Sequence, residues 1–258
     1  MSAGPNIQVI VLHWKRPQNL VTVLNAFRQQ TIEHRLILAD NHPSDEFAPP
    51  ADALDMCDDV FRWKTDYGPF GRLVPALLGE TEWTYFHDDD AVPGRRCLEY
   101  YLESAREIGD FATLGQQGRF CRTARGRIRY SRRKIRPAVE PRPVDLCVQS
   151  HFLRTENLPF ALEFRHALWR RFGSDVPAIH DDIMLCCGVQ KATSHCSYLT
   201  RSFEDAENAY KQKPLRSPFA VAGRPGHYRD RSIMFRMAWE IGWRPQWREA
   251  AVAAAESK

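Results

Sequence analysis

At 258 residues, 43% hydrophobic and 26% charged, the chain can form one large domain with a real core or two small ones, and its composition is ordinary for a globular protein. No apolar run approaches bilayer length, and Met1-Ser2-Ala3-Gly4-Pro5-Asn6 lacks the basic and apolar regions of a signal peptide, so neither a transmembrane segment nor a secretory leader is expected. The seven cysteines include no Cys-x-x-Cys pair, which speaks against a zinc site or a disulfide framework and for reduced thiols in a cytoplasmic protein.

Ile7 to Leu12 is β-branched and mostly apolar, as a buried strand requires. His13-Trp14-Lys15-Arg16-Pro17 follows as a polar loop. Asn19 is placed to cap a helix whose apolar positions Leu20, Val23, Leu24 and Phe27 have helical spacing. Arg35 to Ala39 reads as a second strand that ends in the turn Asp40-Asn41-His42-Pro43. Val60 to Trp63 is a third, short strand. A glycine-bearing loop, Tyr67 to Arg72, then leads to a helix beginning at Leu73. Trp83 to His87 is an aromatic strand that runs into Asp88-Asp89-Asp90. Further on, Cys97 to Ile108 reads as helix, Val144 to Val148 as a return to a sheet, Phe160 to Phe172 as helix, and Ile183 to Val189 as another. Ser217 to Arg231 is rich in Pro, Gly and Arg, and residues 250–258 read as a frayed tail.

Alternation of strand and helix over the first 90 residues predicts an α/β fold with a mostly parallel central sheet flanked by helices, in a single domain. Ligands of such sheets sit outside the carboxyl ends of the strands. Three polar clusters fall there: His13 to Arg16, Asp40-Asn41 and Asp88 to Asp90. Carboxylates this close repel one another, and a divalent cation at the strand end relieves them. On an extended chain Asp88 and Asp90 share one side, with Asp89 pointing away. Oxygen-only ligands favour Mg²⁺ or Mn²⁺ over Zn²⁺.

Residues 7 to about 95, and more loosely 178 to 190, resemble the GT-A family of nucleotide-sugar glycosyltransferases of the family-2 kind. Val9 to Leu20, with Arg16-Pro17-Gln18-Asn19-Leu20, is similar to that family's first strand and loop. Asp40-Asn41 followed by Ser44-Asp45 keeps the outline of its second strand end. Tyr67 to Arg72 is like its glycine loop, Asp88-Asp89-Asp90 matches Asp-x-Asp, and His180-Asp181-Asp182 looks like x-Glu-Asp with Asp181 in place of Glu. The resemblance implies a Rossmann-like GT-A domain over residues 1–258. Residues 6–95 would bind a nucleoside-diphosphate sugar, a UDP-sugar first among donors; residues 96–235 would bind the acceptor, and residues 236–258 would form a C-terminal helix and tail. It implies Mn²⁺ or Mg²⁺ on Asp88 and Asp90. His13, Lys15, Arg16, Asp40 and Asn41 would surround base and ribose, with Arg72 and Asp89 in the same donor-binding set. Asp182 would be the catalytic base of an inverting transfer, with Asp181 as the next choice; in a retaining transfer Asp182 would instead position the acceptor or stabilise positive charge on the sugar. A late histidine completes the metal or diphosphate site in such enzymes. His227, in a glycine-bearing loop that also carries Arg229 and reads as a lid, is preferred to His195.

The net charge of +4 conceals nine cations and no acid between Arg119 and Arg136, so the remainder of the chain is negative. Such a stretch suits an anionic acceptor, and Phe120 and Tyr130 are available to stack bases. A hydroxylated base in DNA is one acceptor it fits, and a glycan, lipid-linked or protein acceptor is the alternative. A nucleotidyltransferase shares strand-end carboxylates but should carry a Gly-rich loop after its first strand, which His13 to Pro17 lacks. A nucleic-acid-binding protein with inert aspartates is the third class.

Overall fold

The computed structural model describes residues 6–124, 127–177, 180–201, 213–215, 219–220 and 223–246. In chain order these form β1 (Ile7–His13), α1 (Pro17–Arg28), β2 (Arg35–Asp40), α2 (Ala51–Asp55), β3 (Asp59–Arg62), α3 (Leu73–Leu77), β4 (Trp83–Asp88), β5 (Ala91–Val92) and α4 (Cys97–Ile108). There follow β6 (Leu114–Gly115), β7 (Gly118–Arg119), β8 (Cys121–Ala124), β9 (Arg127–Tyr130), β10 (Arg142–Val144), β11 (Leu146–Cys147), β12 (His151–Arg154), α5 (Leu158–Phe172), α6 (Asp181–Thr193), β13 (Ser197–Leu199), β14 (Lys213–Pro214) and α7 (His227–Glu240).

The chain divides into two compact units. The first takes residues 1–107 and recovers 152–156 and 203–220; the second holds 108–151, 157–202 and 221–258. In the first unit the strand order is β12-β4-β1-β2-β3, with β1 parallel to both β2 and β4 and β2 parallel to β3. Ile7, Val9, Ile10 and Val11 are all fully buried, the continuous apolar run of a strand covered on both faces. Leu20, Val23, Leu24 and Phe27 are buried along α1, and each such side chain contributes about 1.5–3 kcal/mol by leaving water. Helix α1 begins at Pro17, whose fixed φ and missing N–H suit a first helical position. Asn19 therefore lies inside the helix rather than capping it, and its side chain is used elsewhere.

The second unit carries β10-β13-β6, in which β13 is parallel to β6 and antiparallel to β10. Helices α5 and α6 cross closely at Gly188, where a Cβ would lie 2.7 Å from the Phe160 carbonyl oxygen. Gln190 is fully buried yet satisfied: Nε2 donates to Asp145 O and Ser197 Oγ, each at 2.8 Å, and Oε1 accepts from Trp243 Nε1 at 2.8 Å. No helix among the described residues is long and apolar enough to cross a membrane.

Candidate functional site

In the first unit parallel registers bring four strand ends level: His13 lies opposite Asp40, Leu12 opposite Asp88, and Asp40 opposite Arg62. The aspartate triad is not one extended run. β4 stops at Asp88, and Asp89-Asp90 form a turn before β5. The turn sends Asp89 inward, fully buried, while the Asp88 and Asp90 side chains stay 33% and 25% exposed.

Asp89 is the node of the β1–α1 loop. Its Oδ2 accepts from the Trp14 backbone N–H at 3.0 Å and lies 3.2 Å from His13 Nδ1. Its Oδ1 meets Arg16 Nη2 at 2.6 Å in an ionic contact, and its carbonyl accepts from Asn19 Nδ2 at 3.0 Å. His13 is fully buried, and its Nε2 donates to the Phe47 carbonyl at 2.8 Å. Lys15 sits at φ +60°, in the left-handed region, with Nζ 4.8 Å from the Trp14 ring centroid and 5.8 Å from those of Phe47 and Phe219.

Asp40 is buried and accepts from Arg62 Nε at 3.0 Å. Asn41 is buried too and organises the glycine loop: Nδ2 donates to Asp66 Oδ1 at 3.0 Å and to Gly68 O at 2.6 Å, and Oδ1 accepts from Tyr67 N at 3.1 Å. A Cβ on Gly71 would fall 2.5 Å from Asn41 Oδ1, so this position requires glycine. Asp66, which sequence reasoning missed, ties the clusters together by also accepting from Trp14 Nε1 at 2.8 Å. It belongs to no motif and stands among ordinary loop residues, so nothing in the sequence singles it out.

Arg72, buried, donates through Nη1 to Asp88 Oδ1 at 3.0 Å, and Arg16 Nη1 donates to Asp90 Oδ2 at 3.0 Å. Two part-exposed carboxylates give oxygen ligands with positions left for water or substrate oxygens, which suits Mg²⁺ or Mn²⁺. Among the described residues no three His, Cys, Asp or Glu side chains converge into a closed metal cage.

The second unit gathers Asp182, His180, His227 and Arg231. Asp182, in the first turn of α6, accepts from Arg231 Nη2 at 2.6 Å and Nη1 at 3.2 Å. Burial alone would raise its carboxyl, but the Arg231 guanidinium outweighs burial and holds it at about 2. Arg231 is pushed the other way, above its ordinary range; burial opposes that shift and Asp182 drives it. Burial lowers His180 to about 4, Asp182 opposing and Arg231 assisting. His180 Nδ1 lies 3.5 Å from Arg231 Nη1. Asp181 is buried at the start of the same helix.

The expected lid around His227 is helix: α7 begins at His227 itself, after Gly226 at φ +82°. Residues 217–218 and 221–222 of the Pro-, Gly- and Arg-rich stretch before it lie outside the described residues. The His227 ring stands edge-on to His180, with centroids 5.2 Å apart, and burial lowers its pKa. Arg229 points to solvent on the first turn, 80% exposed, with an ion pair to Asp230 at 3.5 Å. His195 lies in the turn after α6, its N–H donating to Thr193 Oγ1 at 3.2 Å. Arg231 was overlooked because its segment reads as loop. The spacing of His227, Arg231, Met234, Phe235 and Ala238, all buried, is helical and could have revealed it.

Within the basic stretch β8 and β9 form an antiparallel hairpin; the expected turn residues 125 and 126 lie outside the described residues. Tyr130 is not available to stack a base. Its ring lies beside Phe235 and Tyr228, with centroids at 5.9 and 6.1 Å, the Arg231 guanidinium sits 4.8 Å above it, and its hydroxyl accepts from Arg119 Nε at 3.1 Å. Arg132, Arg133, Lys134 and Arg136 are exposed.

No family profile and no curated protein matches the chain. Among solved structures it is similar to S. aureus TarS 1–349, at 17% identity over 78% of this chain and 59% of that one with a TM-score of 0.48. It is also similar to S. aureus TarS at 15% identity, over 76% of this chain and 37% of that one, with a TM-score of 0.50. The chain thus spans less than two thirds of the length of either. The second likeness shows the fold alone: an α/β architecture with a large, mostly parallel central sheet flanked by helices.

Proposed function

We propose that the chain is a glycosyltransferase that takes a sugar from a nucleoside-diphosphate sugar to a hydroxyl acceptor, with Mn²⁺ or Mg²⁺ held on Asp88 and Asp90. The observation that carries this reading is the division of labour in the triad. Asp89 is bound into the β1–α1 loop, whereas the Asp88 and Asp90 side chains, at the end of β4 and in the turn after it, are part-exposed and each meets an arginine. The GT-A-like fold, shared with the glycosyltransferase TarS, supports it.

A bound divalent ion would supply charge neutralisation of the departing diphosphate. The chain's own residues do the rest. Arg16 and Arg72 bring guanidinium groups to the same carboxylates, where they can pair with phosphate oxygens. Trp14, Lys15 and the Asn41–Asp66 network shape the loops beside them, and UDP-sugars are the first donors to try. Asp182 is the carboxylate proposed to take the acceptor's proton, and Arg231 fixes its orientation. DNA carrying a hydroxylated base is the acceptor favoured by the exposed cations Arg132, Arg133, Lys134 and Arg136.

The test is a screen of sugar nucleotides for Mn²⁺-dependent hydrolysis, and for transfer to hydroxymethylated DNA or to small saccharides. Release of nucleoside diphosphate from one donor supports the reading. Release stimulated by DNA assigns the acceptor, and stimulation by a saccharide alone removes DNA from the account.

A further inference from the structure

In the second unit Arg119 is a buried cation, 6% exposed, with no carboxylate at ion-pair distance among the described residues. Its guanidinium makes two contacts. Nε donates to the Tyr130 hydroxyl at 3.1 Å, and Nη1 donates to the Gly118 carbonyl at 2.9 Å. Both N–H groups of Nη2 are unclaimed among the described residues. The carboxylate across Tyr130, Asp182, already gives both of its oxygens to Arg231. A guanidinium stays charged at any working pH, and a charge taken out of water is costly until it is paired.

This unpaired charge is held in a fixed place. Arg119 ends β7 opposite Leu146 of β11, and its carbonyl accepts from the Asp145 N–H at 3.2 Å. Gly118 exchanges hydrogen bonds with Ile135, each at 2.9 Å, and a Cβ on it would lie 2.6 Å from Val144 Cγ1. Tyr130, packed beside Phe235 and Tyr228, sets the guanidinium at Nε. A hydroxyl that accepts from Arg119 keeps its own proton to give to a ligand. Fixed donors around an uncompensated positive charge fit an oxyanion, and the planar fork of a guanidinium matches two oxygens of a phosphate. The neighbours point the same way. No acid occurs between Arg119 and Arg136, and the exposed Arg132 lies 4.4 Å from the ring centroid of Tyr228.

We propose that Arg119, set by Tyr130, is a binding residue for one phosphate group of the acceptor. A phosphodiester backbone and a lone phosphomonoester share that chemistry. Tyr130 reaches from Arg119 to Arg231, whose guanidinium lies 4.8 Å from its ring centroid, so one side chain separates the phosphate site from the Arg231–Asp182 pair. The role in holding an acceptor rests on the function proposed above; the binding of phosphate needs neither donor nor metal.

The experiment is calorimetric titration of the wild-type chain, without donor or metal, with inorganic phosphate and with a short thymidine oligonucleotide. The wild type should bind phosphate, and Arg119→Met should bind it at least about tenfold more weakly, the scale of a lost charge-assisted hydrogen bond. Arg119→Lys keeps the charge without the fork and should fall between the two. Tyr130→Phe keeps the ring, loses the hydroxyl and should weaken phosphate by about 2–10-fold. An oligonucleotide held more tightly than phosphate, by a margin that Arg119→Met removes, assigns a phosphodiester backbone; equal affinity for the two assigns a lone phosphate group. Undiminished binding in Arg119→Met with the fold intact by circular dichroism overturns the site, as does a wild type that binds neither probe. Should Arg119→Met fail to fold, Arg119→Lys decides, and affinity equal to the wild type overturns the site. Either failure leaves the donor reading standing, and a chain that turns over no sugar nucleotide can still bind phosphate at Arg119.

Discussion

Arg231 grips Asp182 with two guanidinium nitrogens, Nη2 at 2.6 Å and Nη1 at 3.2 Å, and both residues are buried. One positive and one negative charge share a site that neither could occupy alone. Arg231→Met leaves a buried carboxylate and should destabilise the fold by about 3–5 kcal/mol. Urea unfolding at pH 7 measures it. A loss below about 1 kcal/mol would mean that water reaches Asp182 and that the pair is of the weak surface kind.

His180 makes the fold sensitive to mild acid. The unfolded chain binds a proton on this side chain at its ordinary 6.5, while burial lets the folded chain bind it only near 4. The unfolded state therefore holds more protons in that window, and stability falls as pH drops from 6.5 towards 4, by about 3 kcal/mol in total. Asp182, lowered from 3.8 to about 2, adds a further loss below pH 4. His180→Gln should flatten the denaturation midpoint between pH 7 and pH 5. An unchanged slope assigns the acid sensitivity to another group.

The middle aspartate differs from its neighbours. Asp89→Ala removes the partner of Arg16 and the Trp14 N–H acceptor from a fully buried position, so it should cost about 3 kcal/mol or more and loosen the β1–α1 loop. Asp88→Asn and Asp90→Asn keep an acceptor oxygen for the arginines at part-exposed positions and should cost less than about 1.5 kcal/mol. Thermal unfolding of the three variants side by side checks the order. Equal stability across them contradicts the inward placement of Asp89.

Much of the first unit was legible because its signals are local. Ile7 to Leu12 reads as a buried strand, Leu20 to Phe27 as the buried face of a helix, and polar residues end three parallel strands. The second unit was harder to read. Asp182 could be singled out, but its partner Arg231 is 49 positions away, inside a run of Pro, Gly and Arg that reads as loop. Pairing over that distance leaves no periodic trace. The triad shows the limit in miniature: alternation along a strand describes Asp88 only, because the chain turns immediately after it. Tyr130 looked like a free aromatic among cations because sequence spacing cannot show that α7 covers its faces.

The exposed cations after β9 give the DNA branch its own test. Replacing Arg132, Arg133, Lys134 and Arg136 with Ser should flatten the dependence of log affinity on log salt by about 0.9 for each phosphate no longer neutralised. Fluorescence anisotropy with a short duplex between 50 and 200 mM salt, on the order of the range where such charges tell, measures the slope. An unaltered slope, or no wild-type binding at the lowest salt, removes nucleic acid as the partner of this segment.

Turnover of sugar nucleotides tests the central claim most directly: wild-type chain, Asp88→Asn and Asp90→Asn, each with Mn²⁺ and with excess chelator, read by release of nucleoside diphosphate. The account predicts release by the wild type only when Mn²⁺ is present, and loss of about 10²-fold or more in either variant with the fold intact, the scale on which a lost electrostatic stabiliser of a leaving group acts. Undiminished release in chelator, or in either variant, contradicts it.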